Sequence, residues 1–310
     1  MGGDQAVRGL VSVIVPAFNA GDYLEACLDS ALAQGDVPTE IIVGDDGSTD
    51  GTPAILDRYA RDFGITVLKP GRNLGPYPLR NRCIDRARGE FVAFLDSDDV
   101  WKPGKLARQV AALRADPEAG LCHSYMMRVD RDGVPERRLE LHSERYAGWC
   151  FPDMLRANGV GTSSVLVRRR VLDRVGLFDE RFRYRGDWEL WCRIARIAPF
   201  AFVPELLVDY RIHDSNVGNN TRKVRRFARD VLDKFEDEMG LEEEERRTCL
   251  RPARASFHRD HGMIALVDRD LDRARADLLA SLAYQPVDPA VWMAILKTVV
   301  YRPRAGTRTT

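Results

Sequence analysis

The chain begins with an alternation of short apolar runs and amphipathic segments that extends to residue 115. Four runs have the length and the branched aliphatic content of strands buried on both faces: VSVIV, EIIVGDD, ITVLK and FVAFLD. Each is followed by apolar residues at helical spacing, the last such segment being 103–115. Four repeats of strand and helix predict a Rossmann-like, mainly parallel α/β sheet flanked by helices.

Capping signals set the expected ends of two of these helices. Asp22 and Glu25 have the spacing of a capping box at the start of the first helix. The second helix is expected to start at Thr52 and to end before Gly64.

Polar residues follow each predicted strand at the point where it ends. In parallel α/β sheets the carboxyl ends of the strands share one edge, and ligands bind there. The sequence therefore predicts a polar site at that edge, made from Phe18 and Asn19, Asp45 and Asp46, Arg72 and Asn73, and Asp96, Asp98 and Asp99.

Beyond residue 120 the regular alternation ends and a mixed half is expected. Two strands are predicted around the Asp132-Gly133 turn, and GTSSVLVRRRVLDRVG predicts a strand leading into a short helix. A helix should begin near Trp188, and FAFVPELLVDYRIHD is interpreted as another pair of strands. A helical tail is expected to follow NNTRKVRR.

The acids after the fourth strand suggest a metal site. Asp96 and Asp98 are two residues apart, so in an extended segment their side chains point to the same side. Carboxylates this close repel one another unless a cation offsets them. Mg²⁺ and Mn²⁺ are hard ions that share carboxylate and phosphate oxygens, so either would supply the missing charge. The alternative for an isolated DxD is a solvated turn that caps the next helix.

Composition narrows the classes of function. The 310 residues include 47 basic and 47 acidic side chains, so no net charge favours nucleic acid as a partner. The six cysteines form no CxxC pair, which argues against zinc. The N-terminus lacks an apolar signal core, and no apolar run approaches the about 20 residues of a membrane span. We therefore expect a cytoplasmic protein.

Several ordered motifs resemble glycosyltransferase family 2, whose members have the GT-A fold: VSVIVPAFNAGDYLEACLDSALAQ, EIIVGDDGSTDGT, NLGPYPLRNRCIDRARGEFVAFLDSDDVWKPGKL, GLFDERFRYRGDWELWCRIA and YRIH. The similarity spans residues 10–215. It implies a GT-A domain over residues 1–220, with a mixed acceptor-side half, and a helical C-terminal region over 221–310. It also implies an inverting transferase that uses a nucleotide-sugar donor and Mn²⁺ or Mg²⁺.

The resemblance also implies roles for individual residues. Residues expected at the nucleotide are Pro16, Phe18, Asp46, Arg72, Arg80, Asp96 and Ser97. Asp98 is expected to coordinate the metal, with His213 near the metal or the diphosphate, although a surface histidine is the alternative. Asp187 matches the catalytic base.

These roles agree with the chemistry of inversion at an anomeric carbon. One base must remove the proton of the acceptor hydroxyl while the diphosphate leaves, and a metal ion can stabilise the leaving charge. Asp187 is favoured over Glu189 and Asp179, although it could also cap the following helix. Trp188 and Trp191 are expected in the core more than at a sugar, and Trp149 is an open candidate for an acceptor contact.

Other functions are less consistent with the sequence. FVAFLDSDDV also fits a haloacid-dehalogenase-type phosphatase with Asp96 as nucleophile. In that class the last acidic motif follows the nucleophile, whereas the similar IIVGDDGSTD precedes Asp96 here. A nucleotidyltransferase would need an early glycine-rich phosphate loop. A catalytically inactive scaffold would be expected to lack Asp98 or Asp187, and both are present.

The sequence leaves the substrates open. UDP- or dTDP-sugars are the expected donors, with GDP-sugars still possible, and the acceptor hydroxyl could belong to a saccharide, a lipid-linked saccharide, a peptide or a small molecule. The segment AVWMAILKTVVYRPR has an apolar face beside arginines, so it could pack on the core or touch the inner face of a membrane. Nothing in the sequence sets the oligomeric state.

Overall fold

The structure is a computed structural model that describes residues 6–139, 143–213 and 221–300. Its contacts divide the chain into two compact units. The N-terminal unit comprises Met1–Met154 and Asn158–Asn220, and the C-terminal unit comprises Leu155–Ala157 and Thr221–Thr310.

The first half of the N-terminal unit is the predicted alternation of strands and helices. Its elements are β1 (Val7–Ala17), α1 (Leu24–Leu32), β2 (Thr39–Asp45), α2 (Thr52–Phe63), β3 (Thr66–Leu68), α3 (Pro76–Ile84), β4 (Gly89–Phe94), β5 (Val100–Trp101) and α4 (Lys105–Ala115). Strands β3, β2, β1 and β4 are adjacent and parallel.

Burial explains why these apolar runs are strands. In β1, the side chains of Val11, Val13, Ile14 and Val15 are fully buried, so both faces of the strand are covered. Val13 pairs with Ile41 of β2 on one side and with Ala93 of β4 on the other. β-Branched side chains pack well on such a pleated, doubly covered sheet.

The second half of the unit extends the same sheet with antiparallel pairs. Its elements are β6 (Leu121–Val129), β7 (Pro135–Leu139), α5 (Phe151–Arg156), β8 (Leu166–Arg168), α6 (Arg169–Val175), α7 (Gly186–Ile197) and β9 (Phe200–Arg211), with 3₁₀ turns at Ser143–Tyr146 and Thr162–Ser164. The strand order is β3-β2-β1-β4-β8-β6-β9-β5, and β7 pairs with β6. The β6–β7 hairpin and the β8–α6 unit confirm the predictions for these segments.

Two local predictions are wrong, and one short strand has no counterpart among the predictions. The expected strand pair around Pro204 is the single strand β9, because the two-residue insertion at Pro204 and Glu205 makes a bulge opposite β6 and not a turn. Strand β5 is too short to give a periodic pattern and was not predicted. Helix α1 starts at Leu24 with no side-chain cap, and Glu25 forms an ion pair with Arg58 and no capping box.

The C-terminal unit is helical among its described residues. It contains α8 (Thr221–Asp237), α9 (Glu243–Glu245), a π-helical turn at Arg246–Leu250, α10 (Arg251–Val267), α11 (Leu271–Tyr284) and α12 (Pro289–Val300). A Cβ at Gly262 would lie 2.6 Å from Leu278, so glycine allows α10 and α11 to approach closely. No helix within the described ranges is long and apolar enough to span a bilayer.

The core of the N-terminal unit contains a fully buried lysine. Lys105, at the start of α4, donates from Nζ to Gln109 Oε1 at 2.6 Å and lies 4.1 Å from the Trp101 ring centroid. None of the described carboxylates forms an ion pair with it. Burial lowers the pKa of Lys105 to about 7.

Replacing Lys105 should change how stability depends on pH. The unfolded lysine stays protonated up to a pKa of about 10.4, whereas the folded one releases its proton near 7. The unfolded state then binds more protons between these values, so wild-type stability rises with pH through this window. When the pH is raised from about 7 to about 9.5, the free energy of unfolding measured in urea should rise by about 1 to 3 kcal/mol more for wild type than for Lys105→Met.

The exposed Lys69 provides the control for this experiment. Lys69→Met should track wild type across the same pH range. A constant difference between wild type and Lys105→Met would mean that the buried amine keeps its proton.

Candidate functional site

The carboxyl ends of the parallel strands are joined by hydrogen bonds between their loops. The amide of Asp46 donates to the carbonyl of Ala17 at 2.8 Å, and Asn73 Nδ2 donates to the carbonyl of Asp46 at 3.3 Å. The amide of Asn19 donates to Ser48 Oγ at 2.9 Å. The loops after β1, β2 and β3 therefore meet, as expected for one edge of a parallel sheet.

Asp46 is buried and holds the loop that enters α3. Its carboxylate accepts the amides of Leu74 at 2.6 Å and Gly75 at 2.8 Å. Gly75 has φ 88°, a conformation that glycine adopts without strain. The resemblance implies that Asp46 lies at the nucleotide, which stays a prediction, and the structure adds a role in holding the backbone.

The loop between β4 and β5, residues 95–99, is termed the acid loop below. Asp96 forms an ion pair with Arg80 of α3, whose side chain is buried. Asp98 Oδ2 lies 2.8 Å from His213 Nε2, and the His213 ring stacks on Tyr23 with 5.1 Å between centroids. Four predicted site residues are thus brought together as two pairs, Asp96 with Arg80 and Asp98 with His213.

The third acid of this loop, Asp99, is almost completely buried and serves as an anchor. Its carboxylate accepts Ser163 Oγ at 2.5 Å and the amide of Arg211 in β9 at 3.0 Å. Arg211 also donates from Nε to the carbonyl of Asp98 at 3.0 Å. These bonds tie the acid loop to β9 and to the Thr162–Ser164 turn.

Electrostatics favour a cation at the acid loop. Burial, and next the charges of Asp98 and Asp96, raise the pKa of Asp99 well above its usual value. Burial and Asp96 also raise the pKa of Asp98, against the opposing effect of His213. A divalent ion would relieve this repulsion, because it favours the ionised form of each carboxyl.

The donor set fits an ion that shares its coordination with a ligand. Within the ranges that the structure describes, no cluster of three or more His, Cys, Asp and Glu side chains is arranged to hold an ion. Asp98 and His213 are two adjacent donors, and Mg²⁺ is commonly bound by one or two protein carboxylates together with phosphate oxygens and waters. The residues present are therefore suited to a metal–diphosphate and not to a closed protein cage.

Asp187, in the first turn of α7, is held by three neutral donors. Oδ1 accepts the Tyr77 hydroxyl at 3.3 Å. Oδ2 accepts Asn158 Nδ2 at 3.0 Å and Thr162 Oγ1 at 3.3 Å. The side chain is only partly buried, so its carboxylate is oriented by the protein yet remains accessible.

Two short bridges connect Asp187 with the acid loop. Thr162 donates to Asp187 while the next residue, Ser163, donates to Asp99. On α3, Tyr77 donates to Asp187, and the Arg80 guanidinium, which pairs with Asp96, lies 5.6 Å from the Tyr77 ring centroid. The two groups of acids are thus parts of one site.

The other acids weighed as bases have structural partners. Glu189 is fully buried, and its carboxylate receives Nε and Nη2 of Arg193 at 2.7 and 2.8 Å. Asp179 pairs with Arg181 at 2.7 Å. Both contacts agree with the preference for Asp187.

The remaining predicted residues lie at the same sheet edge or in its loops. Pro16 is half-buried near the end of β1, Phe18 follows it with half of its surface exposed, and Arg72 is exposed after β3. Ser97 is half-buried in the acid loop. Their assignment to a nucleotide stays a prediction.

The tryptophans divide as expected between core and surface. Trp188 and Trp191 are buried in the core, and Trp188 Nε1 donates to the carbonyl of Met154 at 2.5 Å. Trp149 is largely exposed, so the acceptor contact weighed for it stays open.

Sequence reasoning missed residues that orient the acids: Tyr23, Tyr77, Asn158, Thr162, Ser163 and Arg211. Tyr77 has a partial signal, because it lies three residues before the predicted Arg80 on a helix and so shares its face. The others come from loops or strand ends that carry no periodic pattern.

Comparison with known proteins identifies the family. The family model described as Glycosyl transferase family 2 matches residues 12–176, more than half of the chain. The chain belongs to glycosyl transferase family 2. The glycosyltransferase TuaG of Bacillus subtilis, named for teichuronic acid biosynthesis, is 32% identical over 219 residues, which cover 70% of this chain and 84% of TuaG. This family member is therefore a glycosyltransferase, and the match gives no support to the phosphatase alternative.

Solved structures give the fold. TarS of S. aureus, solved in complex with UDP-GlcNAc, superposes with a TM-score of 0.60 at 19% identity, covering 89% of this chain and 92% of that one. The mannosyltransferase PcManGT of Pyrobaculum calidifontis, solved with GDP-Man and Mn²⁺, gives a TM-score of 0.67 at 22% identity, covering 94% and 81%. These similarities confirm the predicted GT-A fold and the C-terminal helical region.

The two acids in the first turn of α7 should differ in their effect on stability. Glu189→Ala leaves Arg193 as a buried charge without its carboxylate, and loss of one partner from a buried pair costs about 3 to 5 kcal/mol. Asp187→Asn keeps an oxygen for its donors and should cost less than about 1 kcal/mol. Urea unfolding measures both, and similar losses for the two variants would contradict these assignments.

Proposed function

We propose that this glycosyltransferase moves a sugar from a nucleotide diphosphate sugar to an acceptor hydroxyl, with inversion at the anomeric carbon and with Mn²⁺ or Mg²⁺ as cofactor. The observation that carries the proposal is the linkage of Asp187 and the acid loop through the adjacent residues Thr162 and Ser163. A base and a cluster of metal-binding acids in one site are what such a reaction requires.

On the donor side, Asp98 and His213 would hold the ion. When bound, a divalent ion supplies Lewis-acid stabilisation of the charge that develops on the leaving diphosphate. Arg80 offsets the charge of Asp96. Arg211 and Ser163 hold Asp99 at the end of the acid loop. These contacts hold the acid loop in one conformation.

The nucleotide would lie against the end of β1, the loops that follow β1 to β4, and helix α3. Pro16 and Phe18 are proposed to flank the base, with Asp46 at its edge, Arg72 and Arg80 on the phosphate side, and Asp96 and Ser97 near the ribose. The exposed ring of Phe18 supports this, because an apolar surface at the sheet edge suits stacking of a base.

On the acceptor side, Asp187 would remove the proton from the attacking hydroxyl. Tyr77, Asn158 and Thr162 hold both carboxylate oxygens with neutral donors, which orients the group without pairing it with a cation. A base held in this way can accept a proton at a defined position.

The substrates and location belong to the same proposal. Donors with UDP or dTDP are favoured, GDP-sugars remain open, and the acceptor is a saccharide, lipid-linked saccharide, peptide or small molecule in glycan, glycolipid or natural-product biosynthesis. Residues 1–220 would form the catalytic domain and 221–310 the helical appendage. We place the protein in the cytoplasm, and the exposed Trp292, Met293 and Leu296 of α12 support peripheral contact with a membrane.

Asp187→Asn should stop transfer and spare nucleotide binding. A thermal-shift screen of UDP-, dTDP- and GDP-sugars identifies the donor, because a ligand that binds the native state raises the unfolding midpoint. With that donor, release of the nucleoside diphosphate should fall about 100-fold or more in the variant, since a positioned base contributes about 10²–10⁴-fold. Nucleotide affinity should stay within about threefold of wild type.

Asp173→Asn in α6 provides a charge-matched control, because Asp173 is an exposed acid paired with Arg169 on its own helix. It should behave as wild type in both measurements. Full turnover by Asp187→Asn would overturn its assignment as the base.

Removal of divalent metal should abolish turnover. Dialysis against a chelator followed by Mn²⁺ or Mg²⁺ should restore it in wild type. Asp98→Asn should lower metal affinity about tenfold or more and weaken nucleotide binding only when metal is present, because the lost carboxylate acts through the ion. If chelation leaves wild-type turnover unchanged, the metal proposal is wrong, whereas the assignment of Asp187 as the base is unaffected.

A further inference from the structure

Arg185, the residue immediately before α7, has a strained backbone. Its φ and ψ are 60° and 18°, in the left-handed region. Among the described residues, only Asn19 and Arg269 share a positive φ without being glycine. A left-handed arginine costs free energy that glycine would avoid, and such strain is common at functional sites.

The side chain of Arg185 is half-buried and lacks a protein partner. Its guanidinium carbon lies 5.4 Å from the ring centroid of Trp188. Its Nε is buried without a hydrogen-bond acceptor. No ion pair or hydrogen bond joins this guanidinium to any described residue, so its N–H groups are available to a ligand.

Two other buried arginines of the same unit have several acceptors, although Nε of Arg80, like Nε of Arg185, has none. Arg193 contacts both oxygens of Glu189 and three backbone carbonyls. Arg168 donates to the carbonyls of Leu113 and Ala119. Arg185 differs from Arg193 and Arg168 because no described residue accepts a hydrogen bond from its guanidinium.

The nearest charge of opposite sign does not pair with Arg185. Asp187 and, more weakly, Tyr77 attract the guanidinium, while burial lowers its pKa from the ordinary value. The oxygens of Asp187 are instead occupied by Tyr77, Asn158 and Thr162. The base thus keeps its carboxylate free of a salt bridge although an arginine lies two residues away.

We propose that Arg185 binds an anionic group of the acceptor, a phosphate or a carboxylate, and so selects acceptors that carry one near the reacting hydroxyl. This inference rests on the proposed function. Arginine offers a planar fork that matches either anion in a bidentate manner.

The reaction geometry places Arg185 on the acceptor side. Inversion requires the attacking hydroxyl and the leaving diphosphate on opposite faces of the anomeric carbon. Asp187 must lie with the hydroxyl. Arg185 adjoins the first turn of α7, and its guanidinium lies 5.4 Å from the ring centroid of Trp188, the residue after Asp187. On the proposed donor side the arginine is Arg80, which forms an ion pair with Asp96 and lies 5.6 Å from the Tyr77 ring centroid.

Anion binding by the full-length protein tests the proposal. With UDP and Mg²⁺ present at saturation, calorimetric titration compares inorganic phosphate, glucuronate and glucose. Wild type should bind at least one anionic probe about tenfold or more tightly than glucose, and Arg185→Gln should remove this preference. The phosphate and glucuronate arms distinguish the two kinds of anion.

Arg82→Gln is the matched control, because Arg82 is an exposed arginine in the last turn of α3. It should keep the wild-type preference. The proposal is overturned if wild type shows no preference for an anion, or if Arg185→Gln retains it. It is also overturned if Arg185→Gln weakens UDP binding more than about threefold, because the guanidinium then serves the donor.

Stability gives an independent readout. Arg185→Gly relieves the left-handed backbone and removes an unsatisfied charge, so its unfolding midpoint should rise by about 2 to 4 °C while anion binding is lost. A lower midpoint would show that the side chain supports the fold and would count against a ligand role.

Failure of the donor proposal can be recognised separately. If wild type binds none of UDP, dTDP and GDP with Mg²⁺, the proposed function is wrong. The same anion titrations on the protein alone then still report whether Arg185 is the binding group.

Discussion

The structure of the site depends on how the acid loop is neutralised. Asp96, Asp98 and Asp99 follow the fully buried run Phe91–Leu95, where ionised carboxylates repel one another and are poorly solvated. Each acid has a different partner. Asp96 pairs with Arg80, Asp98 contacts His213, and Asp99 accepts hydrogen bonds from the Ser163 hydroxyl and the Arg211 amide. Asp98 and His213 combine two types of metal ligand, and they are the pair proposed to hold the divalent ion.

The same contacts explain why the mixed half of the sheet is needed. Arg211 and His213 come from β9 and its continuation, and Ser163 comes from the turn before β8. All three acids of the acid loop are supplied by the parallel half. Asp98 and Asp99 are held by groups from the antiparallel half, whereas Asp96 is held by Arg80 of α3. Because Thr162 and Ser163 are adjacent, a shift of the acid loop would also move the support of Asp187. The acid loop and Asp187 are therefore held by the same short turn.

The parallel half could be predicted from the sequence because its strands are continuous apolar runs with helices of clear period between them. The acids were found because the carboxyl end of each strand marks the ligand edge. Asn158, Thr162 and Ser163 could not be found in this way, since they lie in irregular chain far from their partners in sequence. The length of β9 was missed for a related reason: Pro204 and Glu205 have the composition of a turn, and only pairing with β6 makes them a bulge.

Helix α7 carries two acids, two positions apart, with different roles: Glu189 is structural and Asp187 is the proposed base. Residues two apart on a helix point about 200° apart, so Glu189 faces the core when Asp187 faces the site. Glu189 is matched by Arg193 one turn later, which makes its charge tolerable where water is absent. Asp187 needs no cation because it keeps contact with solvent, and three neutral donors fix its direction. Glu189 is thus compensated by an arginine, whereas Asp187 is oriented by neutral donors alone.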